Sequence, residues 1–313
     1  LVKPVMTLAT IAALSSTAYA QVAPDATPYG EDVIGGSATF DRPSTGVLNI
    51  DQTSDRAVIN WERFDIGENA STTFYHHNSG SMTVNRVTGA HSDSTQILGS
   101  LSSVSKASGG TGGTIFVLDR NGIVFGENAQ IDVGGMVAST GDLNTTSFMN
   151  GDTRIELSNF TDAQIVNYGT ITVADAGIAA FVSPQVSNHG VIKANVGKVA
   201  FAAGDKVTLD FYGDSLVEIA LEDQIAEALL DNTGAITAAQ VEIKANAARG
   251  VVDSVINMGG IVTASTATES GGKIILGGGS AGKVTVDGTL KESRTKKGNG
   301  GTGGSVEITG QDI

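Results

Sequence analysis

The sequence predicts an all-β protein: a single-stranded parallel β-helix, or solenoid, with an N-terminal cap. Three observations predict this class. The chain has 41 Gly but only 5 Pro in 313 residues, which indicates frequent sharp turns without a Pro-rich disordered composition. Hydrophobic residues still make up 40% of the chain, enough to line a core. A frame of the form Asn-x-Gly-x-Ile also recurs, and it separates short alternating strands.

Residues 1–20 are a predicted signal peptide. Lys3 supplies a positive charge, an apolar stretch follows, and the tripeptide Ala-Tyr-Ala that ends at Ala20 fits a small-x-small cleavage site. These features predict export. We expect residues 21–30 to be a linker. Residues 31–60 are expected to form the N-terminal cap, because the open end of a β-helix would otherwise pair with other strands.

Four copies of the Asn-x-Gly-x-Ile frame predict the coils. Their Asn and Gly residues are Asn167 and Gly169, Asn188 and Gly190, Asn232 and Gly234, and Asn257 and Gly259. The Asn residues lie 21, 44 and 25 positions apart, and we interpret the middle interval as two units of about 22 residues. Asn and Gly favour turns, so we expect each Asn to stack on its copy in the next coil as a structural ladder.

Alternating strands begin at Gly between these copies, as in residues 112–118 and 197–203. Their inward side chains should stack along the axis. The expected core residues are Ile171, Val173, Ile192, Val199, Phe201, Val207 and Leu209. Residues 215–231 depart from the pattern because their apolar residues have helical spacing, which predicts an excursion from the coil, either a short helix or two strands with a loop.

Charge and composition exclude several function classes. The net charge is −14, so no basic face for nucleic acid is expected. The absence of Cys excludes disulfides and zinc–thiolate sites. His76 and His77 have no third ligand at a suitable spacing, so we expect neither a metal nor a cofactor. The enzyme-like glycine strings at 277–283 and 298–303 precede strands instead of helices, so we interpret them as turns and predict no enzyme.

Five segments in order carry a family resemblance. They are residues 59–67 (INWERFDIG), 84–89 (VNRVTG), 97–101 (ILGSL), 118–126 (LDRNGIVFG) and 129–140 (AQIDVGGMVAST). Over about residues 31–265 their order and spacing resemble the secretion domain of filamentous haemagglutinin and related two-partner-secretion exoproteins. The resemblance implies a right-handed β-helix that serves as the secretion signal of a large surface adhesin or haemagglutinin, exported through the periplasm and outer membrane.

The resemblance also implies a partner. A dedicated outer-membrane transporter would bind the unfolded segment through its periplasmic domains, and the exoprotein would fold outside. Members of the family usually have Asn-Pro-Asn-Gly-Ile at one turn. The corresponding residues here are Asp119, Arg120, Asn121, Gly122 and Ile123. By resemblance we expect this motif, together with Trp61 and the cap, to be recognised by the transporter.

Residues 266–313 are expected to add further coils and to be truncated, with contact to a host or neighbouring-cell surface made by a missing downstream region. Two alternatives stay open at this point. One is a polysaccharide-processing β-helix enzyme, which would need clustered acids on one coil face. The other is an autotransporter passenger, which would need a membrane barrel encoded in the same gene.

Overall fold

The computed structural model describes residues 22–213, 216–220, 225, 228–246, 256–266, 272–279, 282–294, 304–311 and 313. The predicted signal peptide, residues 1–20, lies outside the described residues. The described chain forms 29 strands, numbered here in chain order, and one short helix, α1 (Thr145–Met149). None of the helical structure in this described part is long and apolar enough to cross a membrane.

The strands wind into coils with three faces. Face 1 contains β7 (Thr95–Ile97), β10 (Ile123–Phe125), β15 (Gln164–Asn167), β18 (Gln185–Asn188), β22 (Leu229–Asn232), β24 (Ile256–Met258) and β27 (Val284–Val286). Face 2 contains β3 (Val47–Gln52), β5 (Ser71–His76), β8 (Ser100–Ser105), β11 (Gln130–Val133), β16 (Thr170–Val173), β25 (Ile261–Thr266) and β28 (Thr289–Arg294). Face 3 contains β4 (Arg56–Trp61), β6 (Met82–Val87), β9 (Thr114–Leu118), β12 (Gly135–Ser139), β17 (Ile178–Val182), β26 (Lys273–Gly277) and β29 (Ser305–Thr309).

Two longer strands, β19 (Val191–Ala203) and β23 (Ala235–Ala245), run from face 2 into face 3. Each strand pairs in parallel with the strand at the same place in the next coil, so backbone groups are satisfied between coils at a spacing of about 4.8 Å. We number the coils by their strands on face 3, from coil one (β4) to coil nine (β29). The predicted parallel β-helix is confirmed.

The interior of the coils is a continuous apolar core, because inward and outward side chains alternate along each strand. Five expected core residues lie in it, which confirms the prediction for them: Ile171, Val173, Ile192, Val199 and Phe201. Aromatic rings also pack against each other between coils. The Phe181 and Phe201 centroids are 5.4 Å apart in an edge-to-face arrangement. Burial of each such side chain contributes about 1.5–3 kcal/mol before conformational entropy is subtracted.

A second layer, here called the brace, covers the outer side of face 3. It consists of α1 and an antiparallel sheet of β13 (Asp142–Leu143), β14 (Arg154–Ser158), β20 (Lys206–Asp210) and β21 (Val217–Glu218). Face 3 is therefore apolar on both sides: in β9, Ile115 points into the coil core, whereas Phe116 packs under the brace.

The prediction that Val207 and Leu209 belong to the coil core is wrong. Both are buried, but they lie in β20 and pack in the cluster between the brace and face 3. Alternation of apolar residues is the same in a coil strand and in an antiparallel strand with one covered face, so the local pattern could not separate the two.

The N-terminal cap is shorter than the expected residues 31–60. It consists of β1 (Asp32–Gly35) and β2 (Ala38–Asp41), which pair antiparallel with β4 and β3 of coil one. Residues 22–30, expected to be a linker, lie against the same coil. The Asn69 amide donates to the Pro24 carbonyl at 2.7 Å, and the Tyr29 amide donates to the Arg63 carbonyl at 3.0 Å.

The excursion predicted at residues 215–231 contains strands where it is described, with β21 in the brace and β22 in face 1. Part of it, including Leu221, lies outside the described residues. Asn188 pairs directly with Asn232. The 44-residue interval between them is thus one coil plus the excursion, and its interpretation as two coils is wrong. Within the described part of 266–313, β26 to β29 continue the parallel columns.

The turn at residues 174–177 contains a strained residue, Ala176, and glycine at this position should relieve the strain. The Gly177 amide donates to the Ala174 carbonyl at 2.8 Å, and Ala176 within this turn has a φ of 61°. A side chain in the left-handed region costs about 1–2 kcal/mol. Ala176→Gly should therefore raise the free energy of unfolding by about 1 kcal/mol in urea titrations. Ala174→Gly, at a negative φ, is the matched control and should lower stability by about 0.5–1 kcal/mol; equal effects would refute the assignment of strain.

Candidate functional site

The motif at residues 119–123 forms the turn from β9 to β10. The Gly122 amide donates to the Asp119 carbonyl at 3.1 Å, which makes a β-turn, and the Asn121 amide donates to Asp119 Oδ1 at 2.9 Å. Gly122 has a φ of 98°, and a Cβ there would lie 2.6 Å from the Gln164 carbonyl oxygen. This position requires glycine. Ile123 then points into the coil core.

Asp119 is the buried acid of this turn. Its Oδ2 accepts hydrogen bonds from the Thr95 amide at 3.0 Å and from the Thr95 hydroxyl at 2.8 Å. Burial raises the pKa of the Asp119 carboxyl above its ordinary value, while the hydrogen bonds from Asn121 and Thr95 oppose that shift. The side chain anchors the first strand of face 1.

A second acid, Asp65 in the preceding coil, binds the same strand, β7. Asp65 Oδ1 accepts from the Gln96 amide at 2.8 Å, and Arg63 Nε donates to Asp65 Oδ2 at 2.8 Å. Strand β7 is thus fastened on one side by Asp65 and on the other by Asp119. Asp65 was not among the predicted site residues. No local sequence pattern marks it, because its role depends on the bridge between the neighbouring Ile66 and β7.

Arg120 and Asn121 are the outward residues of the turn. Arg120 is exposed, and its carbonyl accepts from the Thr161 hydroxyl at 2.5 Å. Asn121 Nδ2 donates to the His91 carbonyl at 2.8 Å. Asn121 lines two grooves, of about 450 Å³ and 360 Å³. In the folded domain, these two residues are the part of the motif within reach of a partner.

Trp61 lies in the core instead of on the surface. It is 0% exposed, and its indole Nε1 donates to Asn85 Oδ1 at 3.0 Å. The Asn85 amide nitrogen in turn donates to the Phe116 carbonyl at 3.0 Å. Contact between Trp61 and a transporter therefore requires the unfolded chain.

The Asn ladder has three rungs in the structure. Asn167 Nδ2 donates to Asn188 Oδ1 at 2.7 Å, and Asn188 Nδ2 donates to Asn232 Oδ1 at 2.7 Å. All three side chains are buried. The glycines two positions later stack as well: a Cβ on Gly190 would lie 2.2 Å from the Gly169 carbonyl oxygen, and one on Gly234 would lie 2.2 Å from that of Gly190.

The fourth copy is displaced by one residue, so the prediction for Asn257 and Gly259 is wrong. Met258 pairs with Asn232 and is buried, whereas Asn257 pairs with Asp231. Gly260 replaces Gly259 at the corner, because a Cβ on Gly260 would lie 2.1 Å from the Gly234 carbonyl oxygen. A one-residue shift exchanges the inner and outer faces of a strand, so Met258 continues the column with an apolar side chain.

The described residues contain no group of three His, Asp or Glu side chains that could hold a metal ion. His76 is buried and contacts Thr83 Oγ1 at 2.7 Å and the Gly112 carbonyl at 3.2 Å, while His77 is exposed. Residues 280–281 and 295–303, which include parts of the glycine strings, lie outside the described residues.

Comparison with known proteins identifies the family of this chain. The sequence model of the TPS (two-partner secretion) secretion domain matches residues 20–308, most of the chain. The chain belongs to the TPS secretion domain family. This is a family of secretion domains and not an enzyme family. As a TPS secretion domain, the chain serves the export of an exoprotein across the outer membrane to the cell surface or the surrounding medium.

The TPS domain is similar to two curated proteins from Haemophilus influenzae, both named heme/hemopexin-binding protein. One, from strain Rd, is 28% identical over 255 residues, which cover 80% of this chain and 27% of that protein. The other is 25% identical over 293 residues, covering 87% and 30%. The chain thus spans less than a third of the length of either relative.

A solved structure from the same genus as these relatives shows the same fold. The secretion domain of HMW1 from Haemophilus influenzae superposes with a TM-score of 0.61 and 25% identity, covering 90% of this chain and 76% of that one. The filamentous hemagglutinin secretion domain gives a TM-score of 0.48 and 15% identity, covering 91% and 97%.

The turn geometry of this TPS domain is compatible with either Arg or Pro at position 120. Arg120 occupies the second position of a β-turn, has a negative φ, and its amide makes none of the turn hydrogen bonds. Type I turns accept most residues there and favour Pro. Arg120→Pro should leave the urea midpoint unchanged or raise stability by about 0.4–1 kcal/mol. Loss of more than about 1 kcal/mol would contradict this turn assignment.

Proposed function

We propose that a dedicated outer-membrane transporter recognises this domain through its periplasmic domains, and that residues 119–123 are the centre of the recognised segment. Membership of the TPS family over residues 20–308 is the observation that carries this proposal. The domain itself has no catalytic role in it.

Recognition takes place before folding. In the folded domain Asp119 and Ile123 are buried and Gly122 is packed against the Gln164 backbone. A transporter that reads the whole motif must therefore meet an extended chain. The absence of Cys supports this order, because no disulfide can lock the chain in the periplasm.

The test uses the Asn-Gly pair of the motif and a matched pair elsewhere in the chain. Asn121→Ala combined with Gly122→Ala should lower the amount of protein outside the cell several-fold in a strain that expresses the transporter, with synthesis unchanged. Asn150→Ala combined with Gly151→Ala changes the same residue types at an exposed turn, where Gly151 has a φ of 94°, close to that of Gly122, but has open space around it. Export of this control should equal that of the wild type.

A folding defect is separated from a recognition defect by a binding measurement. The urea-unfolded motif variant, diluted onto the immobilised periplasmic domains of the transporter, should bind less than the wild type and the control variant. Normal export and binding by the motif variant would contradict the proposal. Reduced export with normal binding would assign the motif to folding instead.

We further propose that the exported protein that carries this domain acts at a cell surface as an adhesin or haemagglutinin, in contact with a host or neighbouring cell. The names of the two curated relatives favour a second activity, binding of heme or hemopexin. Adherence of secreted full-length protein to cultured cells or erythrocytes supports the first activity. Retention on immobilised hemopexin without adherence supports the second, and retention on neither would exclude both.

A further inference from the structure

The brace connects coils that do not touch one another. In a solenoid each coil contacts only its neighbours, so stability is a sum of local terms and the ends fray. Coil one, which contains β3 and β4, pairs with the cap on one side and with coil two on the other. The brace therefore supplies a link between coil one and distant coils that does not pass through the coils between them.

The near end of the brace is anchored to coil one by Arg56. Its Nη1 donates to the Phe148 carbonyl at 2.5 Å, and its Nη2 donates to the Asp152 carbonyl at 3.0 Å. The guanidinium carbon also lies 5.0 Å from the centroid of the Phe148 ring, a cation–π distance. These residues are more than 90 positions apart in the sequence.

Coils two and three also contact this end of the brace. Arg86 Nε donates to Asp142 Oδ1 at 2.8 Å, and the charged pair is reinforced by a 3.3 Å hydrogen bond from Arg86 Nη2 to the Leu143 carbonyl. The rings of Phe116 and Phe148 pack edge to face with centroids 5.7 Å apart. Three successive coils thus bind one short stretch of the brace.

The far end is anchored to coil seven by Glu242. This carboxylate is 0% exposed and accepts from the amides of Leu216 at 2.8 Å and Val217 at 3.2 Å. Lys244 Nζ donates to the Val217 carbonyl at 2.9 Å and to Glu242 Oε2 at 2.7 Å. Together they fix the last strand of the brace, β21, against β23.

We propose that the brace makes coils one to seven a single cooperative folding unit, which is complete only when the chain has formed as far as β23. Because this inference extends the proposed export function, it implies that the first coils gain full stability outside the cell only after residue 245 has emerged. Coils eight and nine, formed by β26 and β29, lie beyond the Glu242 anchor and depend on their neighbours.

Hydrogen exchange of the full chain tests the proposal without a transporter. In the wild type, amides of β4 and β6 should be as protected as those of β17 and β19. Phe148→Ala should break the near anchor and accelerate exchange in β4 and β6 by at least about 100-fold. If Phe148→Ala does not fold, Arg56→Lys replaces it as the test variant. It keeps the positive charge but loses the contact with two carbonyls, and it should accelerate exchange in β4 and β6 by about 10-fold.

The decisive variant is Glu242→Gln, at the opposite end of the brace. In a cooperative unit this variant should accelerate exchange in β4 by about 10-fold. The effect would reach across coils two to five, which lie between β4 and β19, the neighbour of β23 on face 3. Arg42→Ala, which removes the ion pair of Arg42 with Glu31 near the cap, is the control and should change these rates by less than about 5-fold. Acceleration by Glu242→Gln confined to β19, β23 and β26 would overturn the proposal and leave the transporter proposal untouched.

Discussion

Trp61→Ala is expected to lower the free energy of unfolding by about 3–5 kcal/mol, the usual cost of removing a large buried aromatic side chain. Trp61 packs edge to face with Phe40 at 5.6 Å and with Phe64 at 5.5 Å between ring centroids. It thereby joins the cap to coil one. The substitution also leaves Asn85 Oδ1 without its indole donor.

Urea titration monitored by far-UV circular dichroism measures this loss. Tyr212→Ala is the control, because Tyr212 is the most exposed aromatic side chain in the described part of the chain at 76%, and its removal should cost less than about 0.5 kcal/mol. Trp61→Phe keeps much of the packing and should lie between the two. Equal midpoints for Trp61→Ala and Tyr212→Ala would show that the cap does not depend on this ring.

Acid is expected to destabilise the domain through His76. Burial lowers the pKa of His76 from 6.5 to about 4, and the positive charge of Lys106 acts in the same direction against the bond to the Gly112 carbonyl. Well above pH 6.5 the ring is neutral in both states and makes no contribution to pH dependence. Between pH 6.5 and about 4 the unfolded chain binds a proton that the folded one does not, so stability falls as the pH falls.

The loss amounts to about 3 kcal/mol at pH 4, since one pKa unit corresponds to about 1.4 kcal/mol. The measurement is the free energy of unfolding of the wild type minus that of His76→Gln, taken at several pH values. The difference isolates His76, because both proteins share the same carboxylates. A difference that stays constant between pH 7 and pH 4 would disprove this assignment.

Local sequence features predicted much of the site but not its connections. The turn at residues 119–123 was predictable, because Asp, Asn and Gly each have a defined turn preference. The link from Asp119 to Thr95, and the matching link from Asp65 to Gln96, were not predictable. They depend on which coils become neighbours, and no local pattern carries that information.

The Asn ladder shows that a local motif does not determine strand register to the exact residue. Asn167, Asn188 and Asn232 share a motif and also share a column. Asn257 shares the motif but not the column, because pairing places Met258 at that rung. Strand register follows the burial of a whole face, and one buried Met outweighs a local Asn-x-Gly match.

The sequence by itself determined the fold class, the positions of most coil corners and the family, because turn chemistry, alternation and ordered motifs are local properties of the chain. The tertiary structure alone decided that Val207 and Leu209 belong to the brace, that residues 188–232 span one coil, and that the cap is confined to β1 and β2. Each of these depends on which strand pairs with which over long separations. Such pairing is set by the total surface that becomes buried, and short apolar strands of the same length satisfy the local pattern equally well in a coil or in a brace.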